Sequence, residues 1–484
     1  MAGGSLLRTK SIDQSIEDTR DEGNGLRRTL GPVDLVVYGV GVIIGTGIFV
    51  LTGKAAGTLA GPAIALSFVF AGIACGLAAL CYAEFASSVP AAGSAYTFAY
   101  ASLGELVAWI IGWDLILELA LGAATVASGW AGYFRIVCHD TLGVNLPAWV
   151  DGAHHNVVAA VLVLAITALL CVGVKISSRV NAVIVAIKVT IVLLVIVAGA
   201  FYVKTGNLHP FIPASGSKPA PGGDATTSLL QDIGFNTGTF GVGGIFTGAA
   251  LVFFSFIGFD VVATAAEESR NPQRDLPIGI FGSLIVCTVL YVAVSLVVTG
   301  MVPYDQIKVE APLAEAFRSV GRSGIAQVVS FGALAGLTSV TLILMMGQSR
   351  VFFAMSRDRL LPPVFSRVSA RFGTPYRTTI ATGVVVAIIA FLVDLQTLAE
   401  LVNIGTLFAF IVVAAGILVL RRTQPDLERA YRTPLVPLVP ILAILSSLWL
   451  MFNLPAETWV RFAVWMLVGL VVFFAYGRRH SRVQ

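Results

Sequence analysis

The chain has little charge for its length. Of its 484 residues, 12% are Asp, Glu, Lys or Arg, 57% are hydrophobic, and the mean hydropathy is +0.87. Because soluble domains carry about 25% charged residues, this composition excludes a disordered chain and argues against a soluble globular enzyme. The charges fall in short clusters between apolar runs of about 20 residues, the length of a bilayer-spanning helix. We therefore expect an all-α polytopic membrane protein whose surroundings are a lipid bilayer.

Cysteine and histidine are also scarce, with five of each. No two cysteines form a C-x-x-C pair, and four lie inside apolar runs, as small buried side chains do. The histidines lie in loops or the tail, and the neighbouring pair His154–His155 fits a solvated loop better than a metal site. We expect no disulfide framework, no metal site and no cofactor other than a coupling ion.

Motifs of enzymes, pumps and nucleic-acid binders are missing as well. The sequence has no G-x-S-x-G, H-E-x-x-H or G-x-x-x-x-G-K-[ST] pattern, and no acid–His pair lies in an apolar run. Basic residues separate the apolar runs instead of gathering on one face, so a nucleic-acid partner is not expected. Residues 1–30 are polar, so no cleavable signal peptide is expected either.

Hydropathy predicts twelve spans, with Pro, Gly, Ser and charge between them. The spans are 34–53, 62–86, 104–131, 157–174, 181–203, 245–266, 278–302, 325–353, 380–394, 398–420, 436–453 and 459–476.

Lys and Arg orient these spans. With alternating spans, 22 of the 31 basic residues lie on the side of the two tails and 8 on the opposite side. Since loops on the cytoplasmic side carry the excess of Lys and Arg, we expect both termini in the cytoplasm and the protein in the plasma membrane. Lys188 alone lies inside a span.

Two spans carry glycine where a helix is expected. The first contains Gly41, Gly45 and Gly47, and each glycine costs a helix about 1 kcal/mol relative to alanine. Gly41-x-x-x-Gly45 fits close helix packing, but it also fits a local unwinding that is tolerated at bilayer depth only beside a cavity or ligand. The sixth span has a similar interruption at Phe253–Asp260, around Gly258. Paired interruptions five spans apart are typical of inverted-repeat transporters.

This pattern gives the expected organisation of the chain. A five-plus-five inverted repeat would be broken in its first and sixth helices, and two further helices would follow the repeats. The predicted segments are a cytoplasmic N-tail (1–30), a first repeat (31–203), an extracellular loop (204–243), a second repeat (244–420), helices eleven and twelve (421–476) and a cytoplasmic C-tail (477–484).

The two interruptions predict a substrate. Free N–H groups at the start of the outer half of the first helix suit a carboxylate, and free carbonyls at the end of the outer half of the sixth suit an ammonium. An anion site and a cation site a few ångströms apart fit an amino acid. The predicted substrate-binding residues are Ile43, Ile44, Gly45, Thr46, Gly47, Phe253, Phe254, Ser255, Ile257 and Phe259.

Motifs across residues 26–480 carry a family resemblance. They are Gly41–Phe49 (GVIIGTGIF), Tyr82–Tyr96, Gly112–Glu118, Phe253–Asp260, Glu267–Pro272 and Arg350–Asp358. Gly41–Phe49 resembles the helix-one signature of the amino acid–polyamine–organocation superfamily, and the others resemble its cationic amino acid transporter family with bacterial relatives. The resemblance implies the inverted-repeat fold, alternating access and a substrate site formed by helices one, three, six and eight.

Charged residues inside the spans are the candidates for coupling. A Lys near the bilayer centre costs about 2.5–3.5 kcal/mol, so Lys188 either extends to the interface or takes part in function. Lys188 resembles the helix-five lysine that replaces sodium in proton-coupled relatives, and we expect it to couple transport to protons. Glu118, four residues after Asp114 on one helix face, is either a pocket or relay carboxylate or a structural charge. Asp260 either caps a helix or takes part in function.

Substrate specificity is predicted from one position. By alignment on the Arg350 motif, Leu344 lies where cationic-selective relatives carry a small residue, which favours neutral or broad amino acids. The alternatives are an exchanger for cationic amino acids and a binding-only amino acid sensor. A protein partner subunit stays unknown from the sequence.

Overall fold

The computed structural model describes residues 30–88, 95–96, 99–100, 103–147, 150, 155–173, 178–220, 227–235, 238–264, 269–366, 369, 374–427 and 429–480. These residues are mostly helical, and the β pairing found among them is one isolated bridge between Leu30 and Ser269. Within these described residues, seven helices are long and apolar enough to cross a membrane, and five more apolar helices are shorter. The predicted all-α class is confirmed. Residues 1–29 of the predicted N-tail, His154 and the Glu267–Glu268 pair lie outside the described residues.

The first predicted span is interrupted. Helix α1, Pro32–Ile43, begins at Gly31, whose N–H donates to the Asp34 carboxylate at 2.9 Å. It ends where Ile44 becomes extended (φ −72°, ψ 95°). The chain is helical again over residues 47–60 (α2), with π-helical turns at Gly47–Leu51 and Ala56–Ala60.

The remaining long helices follow the predicted spans closely, so every predicted span has a helical counterpart in the described residues. They are α3 (Ile64–Ser88), α4 (Glu105–Asp140), α5 (Val157–Val172), α6 (Ser178–Ala200), α7 (Gly241–Val252), α8 (Pro272–Met301), the short α9 (Pro312–Ser319), α10 (Ser323–Arg357), α11 (Tyr376–Leu392), α12 (Leu395–Thr423), α13 (Leu438–Phe452) and α14 (Ala456–Val472).

The sixth predicted span is interrupted as well. A 3₁₀ turn at Phe253–Phe256 follows α7, and Ile257 is extended. Gly258 then has a φ of +113°, a region that residues with a Cβ rarely enter, before a helical turn at Val261–Thr264. A Cβ at Gly258 would also lie 2.6 Å from Cγ1 of Val42. The two interruptions are therefore in contact.

The helices form two packed groups. Helices α1, α3, α7 and α8 pack together, and helices α4, α5, α10 and α11 form the second group. Helix α6 contacts α1 and α8 of the first group and α10 of the second. The interrupted segments of the first group therefore lie next to α4 and α10 of the second.

A buried ion-pair cluster closes one end of the first group. Glu84 on α3 is fully buried and accepts two hydrogen bonds from Arg421 at the end of α12, at 2.8 and 2.9 Å. Arg429 pairs with the same carboxylate at 3.1 Å, and the backbone N–H of Thr433 donates to it at 2.8 Å. These contacts fasten residues 421–433 across the end of α3.

Candidate functional site

A small cavity lies where the two interruptions meet α4 and α10. Its volume is about 20 Å³, room for about one water molecule. Its walls are Val42, Ile43, Gly45, Thr46 and Gly47 from the first interruption, Phe254 and Ile257 from the second, Glu118, Gly122 and Val126 from α4, and Val340 and Leu344 from α10. The structure therefore brings together eight of the residues that the sequence predicts for substrate binding, coupling or specificity.

The first interruption presents backbone N–H groups. In the described part of the chain, the N–H groups of Gly45 and Thr46 form no hydrogen bond, and both residues line the cavity. The Thr46 hydroxyl is fully buried and has no partner among the described residues. These three donors follow the end of α1 and precede α2, where the helix dipole favours a negative charge. This edge of the cavity can therefore hold a carboxylate.

Two buried polar side chains hold carbonyls at the two interruptions and at the end of α7. The Tyr291 hydroxyl of α8 lies 2.8 Å from the Ile43 carbonyl oxygen and 2.9 Å from the Ser255 carbonyl oxygen. The Asn403 amide of α12 donates to the carbonyls of Ala250 and Leu251 at 2.7 and 3.1 Å. A carbonyl oxygen has two lone pairs, so a carbonyl held by Tyr291 can still accept from an ammonium. Tyr291 thus ties the two interruptions together.

Gly47 allows the closest contact between the interruptions. A Cβ at this position would lie 2.3 Å from the Ser255 Cα and 2.5 Å from its Cβ. Because the obstacle includes backbone, no rotation of a side chain would relieve the overlap. The Ser255 hydroxyl, beside this contact, is buried and lacks a partner among the described residues. The contact therefore requires glycine at position 47.

Lys188 lies away from the cavity, between three helices. Its ammonium donates to the Gly41 carbonyl of α1 at 2.6 Å, and the residue is 1% exposed. Its methylene groups pack beside Gly336 of α10, where a Cβ would be 3.1 Å from the Lys188 Cγ. Lys188 thus joins α6 to the helix that ends at the cavity, instead of extending to an interface.

Three buried carboxyls lie near one another below the cavity. Glu118 lines the cavity, Asp114 lies one turn earlier on α4, and Asp260 is the last residue of the second interruption. Glu118 interacts electrostatically with Asp114 and with Asp260, and all three carboxyls interact with the buried phenol of Tyr82. Asp114 has no hydrogen-bond partner within the described residues and packs against Gly405 of α12. Asp260 accepts hydrogen bonds from backbone around Gly258 and Val261, as a cap would.

Four predicted binding residues do not line the cavity: Ile44, Phe253, Ser255 and Phe259. Phe253 and Phe259 pack instead against Phe410 of α12, with ring centroids 5.6 and 5.2 Å apart. Tyr82 joins them at 5.5 Å from Phe410 and 5.8 Å from Phe259. This aromatic layer therefore joins the second interruption to α3 and α12.

Sequence reasoning did not identify Tyr291 or Asn403. Both are polar side chains inside apolar runs, which is a usable signal for a functional position. Their partners, however, lie 36 to 248 residues away, and only the packing of helices brings them together.

Comparison with known proteins fits this geometry. Residues 30–474 match the profile of a family described as amino acid permease. The chain belongs to the amino acid permease family. It is 48% identical to the branched-chain amino acid permease BcaP of Bacillus subtilis and 45% identical to the methylthioribose transporter of the same organism, each over 99% of both chains. It is 41% identical to the vacuolar cationic amino acid transporter 4 of Arabidopsis thaliana, over 87% of this chain and 68% of the relative.

Membership in this family makes the protein a multi-pass membrane transporter rather than an enzyme. It also confirms the family predicted from the motifs. The two interrupted helices of this permease line one cavity. The relatives are named as permeases or transporters of small solutes.

Proposed function

We propose that this permease is a secondary active transporter that carries neutral L-amino acids by proton symport with alternating access. The meeting of the two interrupted helices around one cavity is the observation that carries this proposal. Free N–H groups at Gly45 and Thr46 form one edge, and the carbonyls of Ile43 and Ser255 lie close by. An α-ammonium and an α-carboxylate are the groups that these two edges would bind.

The grouping of helices supports a five-plus-five inverted repeat with twelve spans. Counting α1 with α2 as the first span, spans one and two pack with six and seven, and spans three and four pack with eight and nine. Each group thus contains the counterparts expected from a repeat of five. Movement of one group against the other would expose the cavity alternately to the two sides of the membrane.

The walls of the cavity support a neutral side chain. Most of the lining that α4 and α10 supply is apolar, with Val126, Val340 and Leu344 facing the interruptions. A cationic side chain would have one buried carboxylate, Glu118, as its partner among these walls. Similarity to a branched-chain amino acid permease supports the same class of substrate.

Lys188 supports proton coupling. Its ammonium holds the Gly41 carbonyl just before the first interruption, so gain or loss of its proton would change the contact between α6 and α1. A buried lysine can gain and lose its proton during a cycle, so it can serve as the coupling group. Glu118, which lines the cavity, is the second group that we assign to proton movement.

The relatives give a specific reason to test two other substrate classes. One relative is named for methylthioribose, which has neither an α-ammonium nor an α-carboxylate, and another is named for cationic amino acids.

The distribution of Lys and Arg gives the orientation, and from it we infer that both termini lie in the cytoplasm and that the protein lies in the plasma membrane.

Uptake by proteoliposomes containing the purified full chain tests the proposal. Labelled L-alanine uptake should be inhibited by excess L-leucine and much less by L-arginine, L-lysine or methylthioribose. Preloaded liposomes should also show counterflow of labelled L-alanine, because a carrier exchanges bound substrate across the membrane. Binding of L-alanine without any counterflow would indicate a sensor, and stronger inhibition by L-arginine or methylthioribose would overturn the proposed substrate class.

A further inference from the structure

Helix α12 carries buried polar side chains in successive turns of its first half. Gln396, Glu400, Asn403 and Thr406 are spaced four, three and three residues apart, so they lie on one face of the helix. Each of them is at most 6% exposed. Polar and ionisable side chains inside a membrane-spanning helix are costly and mark functional positions. We call these four residues the polar row, and we call the small cavity between the two interruptions the central cavity.

Glu400 is the ionisable member of the polar row. Its Oε1 accepts a hydrogen bond from the Gln396 side-chain amide at 2.9 Å, and its Oε2 lies 3.2 Å from the Thr458 hydroxyl of α14. It forms no ion pair with a described residue. Both contacts suit a charged or a neutral carboxyl, because an amide N–H donates to either form and a hydroxyl can donate or accept. Glu400 can therefore gain and lose a proton while it keeps its partners.

A cavity at the start of α12 lies close to Glu400. Its volume is about 650 Å³, which is room for many water molecules. Asp394 and Lys54 line this cavity, and both act electrostatically on Glu400. Leu395 lines it as well, and the next residue, Gln396, contacts Glu400. Glu400 is therefore separated from the cavity by one turn of α12, on the side that we infer to be extracellular.

The other end of the polar row reaches the central cavity. The Thr406 hydroxyl interacts with the carboxyl of Glu118, which lines that cavity. In this structure the hydroxyl donates to the Val402 carbonyl at 3.0 Å, and a rotation of its hydrogen would direct it to Glu118. The polar row thus begins beside one cavity and ends beside the other.

Asn403 lies in the gap between Glu400 and Thr406. At a helical rise of about 1.5 Å per residue, Glu400 and Thr406 are about 9 Å apart along α12. The Asn403 amide donates to two carbonyls of α7, but its Oδ1 is buried and has no partner among the described residues. Buried acceptors nearly always have a partner, and water commonly supplies it. Water at the Asn403 Oδ1 would connect Glu400 to Thr406.

We propose that Glu400 receives protons from the cavity at the start of α12 and passes them to Glu118. The O–H bond of the neutral Glu400 carboxyl breaks, and its proton joins the water at Asn403. This water gives another proton to the Thr406 oxygen, and the hydroxyl proton of Thr406 moves to the Glu118 carboxylate. Glu118 ends protonated, and Glu400 ends as a carboxylate that takes a new proton from the cavity. The route rests on the proposed proton symport and gives it an entry path.

Proton release inside proteoliposomes tests the route. L-Leucine is added outside vesicles that contain the purified full chain, trapped pyranine reports the internal pH, and valinomycin with K⁺ holds the membrane potential near zero. The wild type should acidify the interior as L-leucine enters. Glu400→Gln keeps the size and the contacts of the side chain but carries no proton, so acidification should be at least tenfold slower. Counterflow of labelled L-leucine at equal pH should stay within about twofold of wild type, because exchange needs no net proton movement.

Two substitutions of Thr406 test the bridge. Thr406→Val keeps the shape of the side chain without the hydroxyl, so acidification should slow as much as in Glu400→Gln. Thr406→Ser keeps the hydroxyl and should acidify within about threefold of wild type. The double variant Glu400→Gln/Thr406→Val should be no slower than either single variant, because both interrupt one path. Size-exclusion chromatography establishes that each protein is monodisperse, and the Thr406 pair carries the test if Glu400→Gln does not fold.

A carboxyl at the surface is the matched control. Glu457 precedes Thr458 on α14, and its side chain is 79% exposed. Glu457→Gln makes the same chemical change outside the polar row, so its acidification and counterflow should both equal those of the wild type.

Wild-type acidification by Glu400→Gln would overturn the route while leaving proton symport intact. Equal losses of acidification and counterflow in that variant would also overturn it, because a purely structural carboxyl would impair both. Acidification by Thr406→Ser as slow as that by Thr406→Val would contradict the bridge and with it the route. Counterflow by the wild type without any acidification would overturn the proposed symport as well as the route.

Discussion

At the scale of the residue, glycine 47 determines how closely the interrupted helices approach. Gly47→Ala places a Cβ 2.3 Å from the Ser255 Cα, so the two backbones must separate. Overpacking of this kind costs about 1–3 kcal/mol. We expect a lower melting temperature in scanning fluorimetry and at least tenfold slower uptake.

Gly45→Ala is the matched control. Its Cβ would meet Val340 at 3.6 Å, which is an ordinary contact. The melting temperature should therefore stay close to that of the wild type. Equal destabilisation by the two substitutions would contradict the close contact at Gly47.

Tyr291 gives a second prediction at this scale. Tyr291→Phe removes the hydroxyl that lies between the Ile43 and Ser255 carbonyls and leaves buried acceptors with fewer partners. The loss should be about 1–3 kcal/mol of stability, with slower uptake. Melting temperatures compare it with Tyr304→Phe, whose hydroxyl makes no hydrogen bond to a described residue and whose loss should have little effect. Wild-type stability and uptake in Tyr291→Phe would show that the Tyr291 hydroxyl is not needed to hold the two interruptions together.

The sequence predicts some of these residues and not others for a physical reason. Gly45, Gly47 and Lys188 violate the composition of a lipid-embedded helix, so local pattern is enough to identify them. Tyr291 breaks no local rule strongly, and its role depends on two carbonyls brought to it by tertiary packing. Phe259 is aromatic beside an interruption, yet its neighbours are Tyr82 and Phe410, and sequence does not tell which way a ring turns.

At the scale of the element, the Glu84 cluster fastens the segment after α12 to α3. Glu84→Ala leaves Arg421 and the buried Arg429 without their shared carboxylate. Breaking a buried ion pair by removing one partner costs about 3–5 kcal/mol. We expect a large drop in melting temperature and faster proteolysis of residues 421–433.

Glu457→Ala tests whether burial is the cause. Glu457 pairs with Arg461 one turn away on α14, and both side chains are well exposed, at 79% and 44%. Exposed pairs contribute about 0–1 kcal/mol, so this substitution should have little effect. A comparable loss in both variants would contradict the assigned role of the buried cluster.

Helix α12 begins with a capping carboxylate that makes stability depend on pH. Asp394 accepts hydrogen bonds from the N–H groups of Gln396 and Thr397, and its pKa is lowered by these bonds and by Lys54 despite partial burial. Since the folded pKa lies below the unfolded value of about 3.9, the stabilisation is complete above that value and is lost as pH falls through the folded pKa. Asp394→Asn keeps a capping side chain without the charge.

Melting temperatures measured from pH 6 to pH 3 check this prediction. The difference between wild type and Asp394→Asn should be constant down to about pH 4 and then shrink. A difference that does not change over this range would mean that the charge of Asp394 does not stabilise the folded protein.

The helices themselves were largely predictable from sequence, because apolar runs of bilayer length have few alternative structures. The interruption after α7 was predictable from Gly258, but its 3₁₀ turn was not, since Phe253–Phe256 carry no turn signal. A second cavity of about 650 Å³ was not predictable at all, because its walls come from α2, α4 and the start of α12, which are far apart in the chain.

At the scale of the whole molecule, the two groups of helices supply the moving parts that the proposed transport cycle needs. The central cavity is too small for an amino acid in this structure, so binding requires the groups to separate. Thr46 and Val50 lie against Gly129 of α4, and Tyr82, Phe259 and Phe410 form an aromatic layer beside the second interruption. Lys188 contacts helices of both groups, which is where a proton could change their relative position.

Accumulation of labelled L-leucine in proteoliposomes, with and without an inward proton gradient, tests proton-coupled transport most directly. The wild type should concentrate L-leucine above the external level only with the gradient, and Lys188→Ala should lose this accumulation while retaining some counterflow. Lys204→Ala, an exposed lysine after α6, should behave as wild type. Equal accumulation without the gradient, or undiminished proton-driven accumulation by Lys188→Ala, would contradict coupling through Lys188.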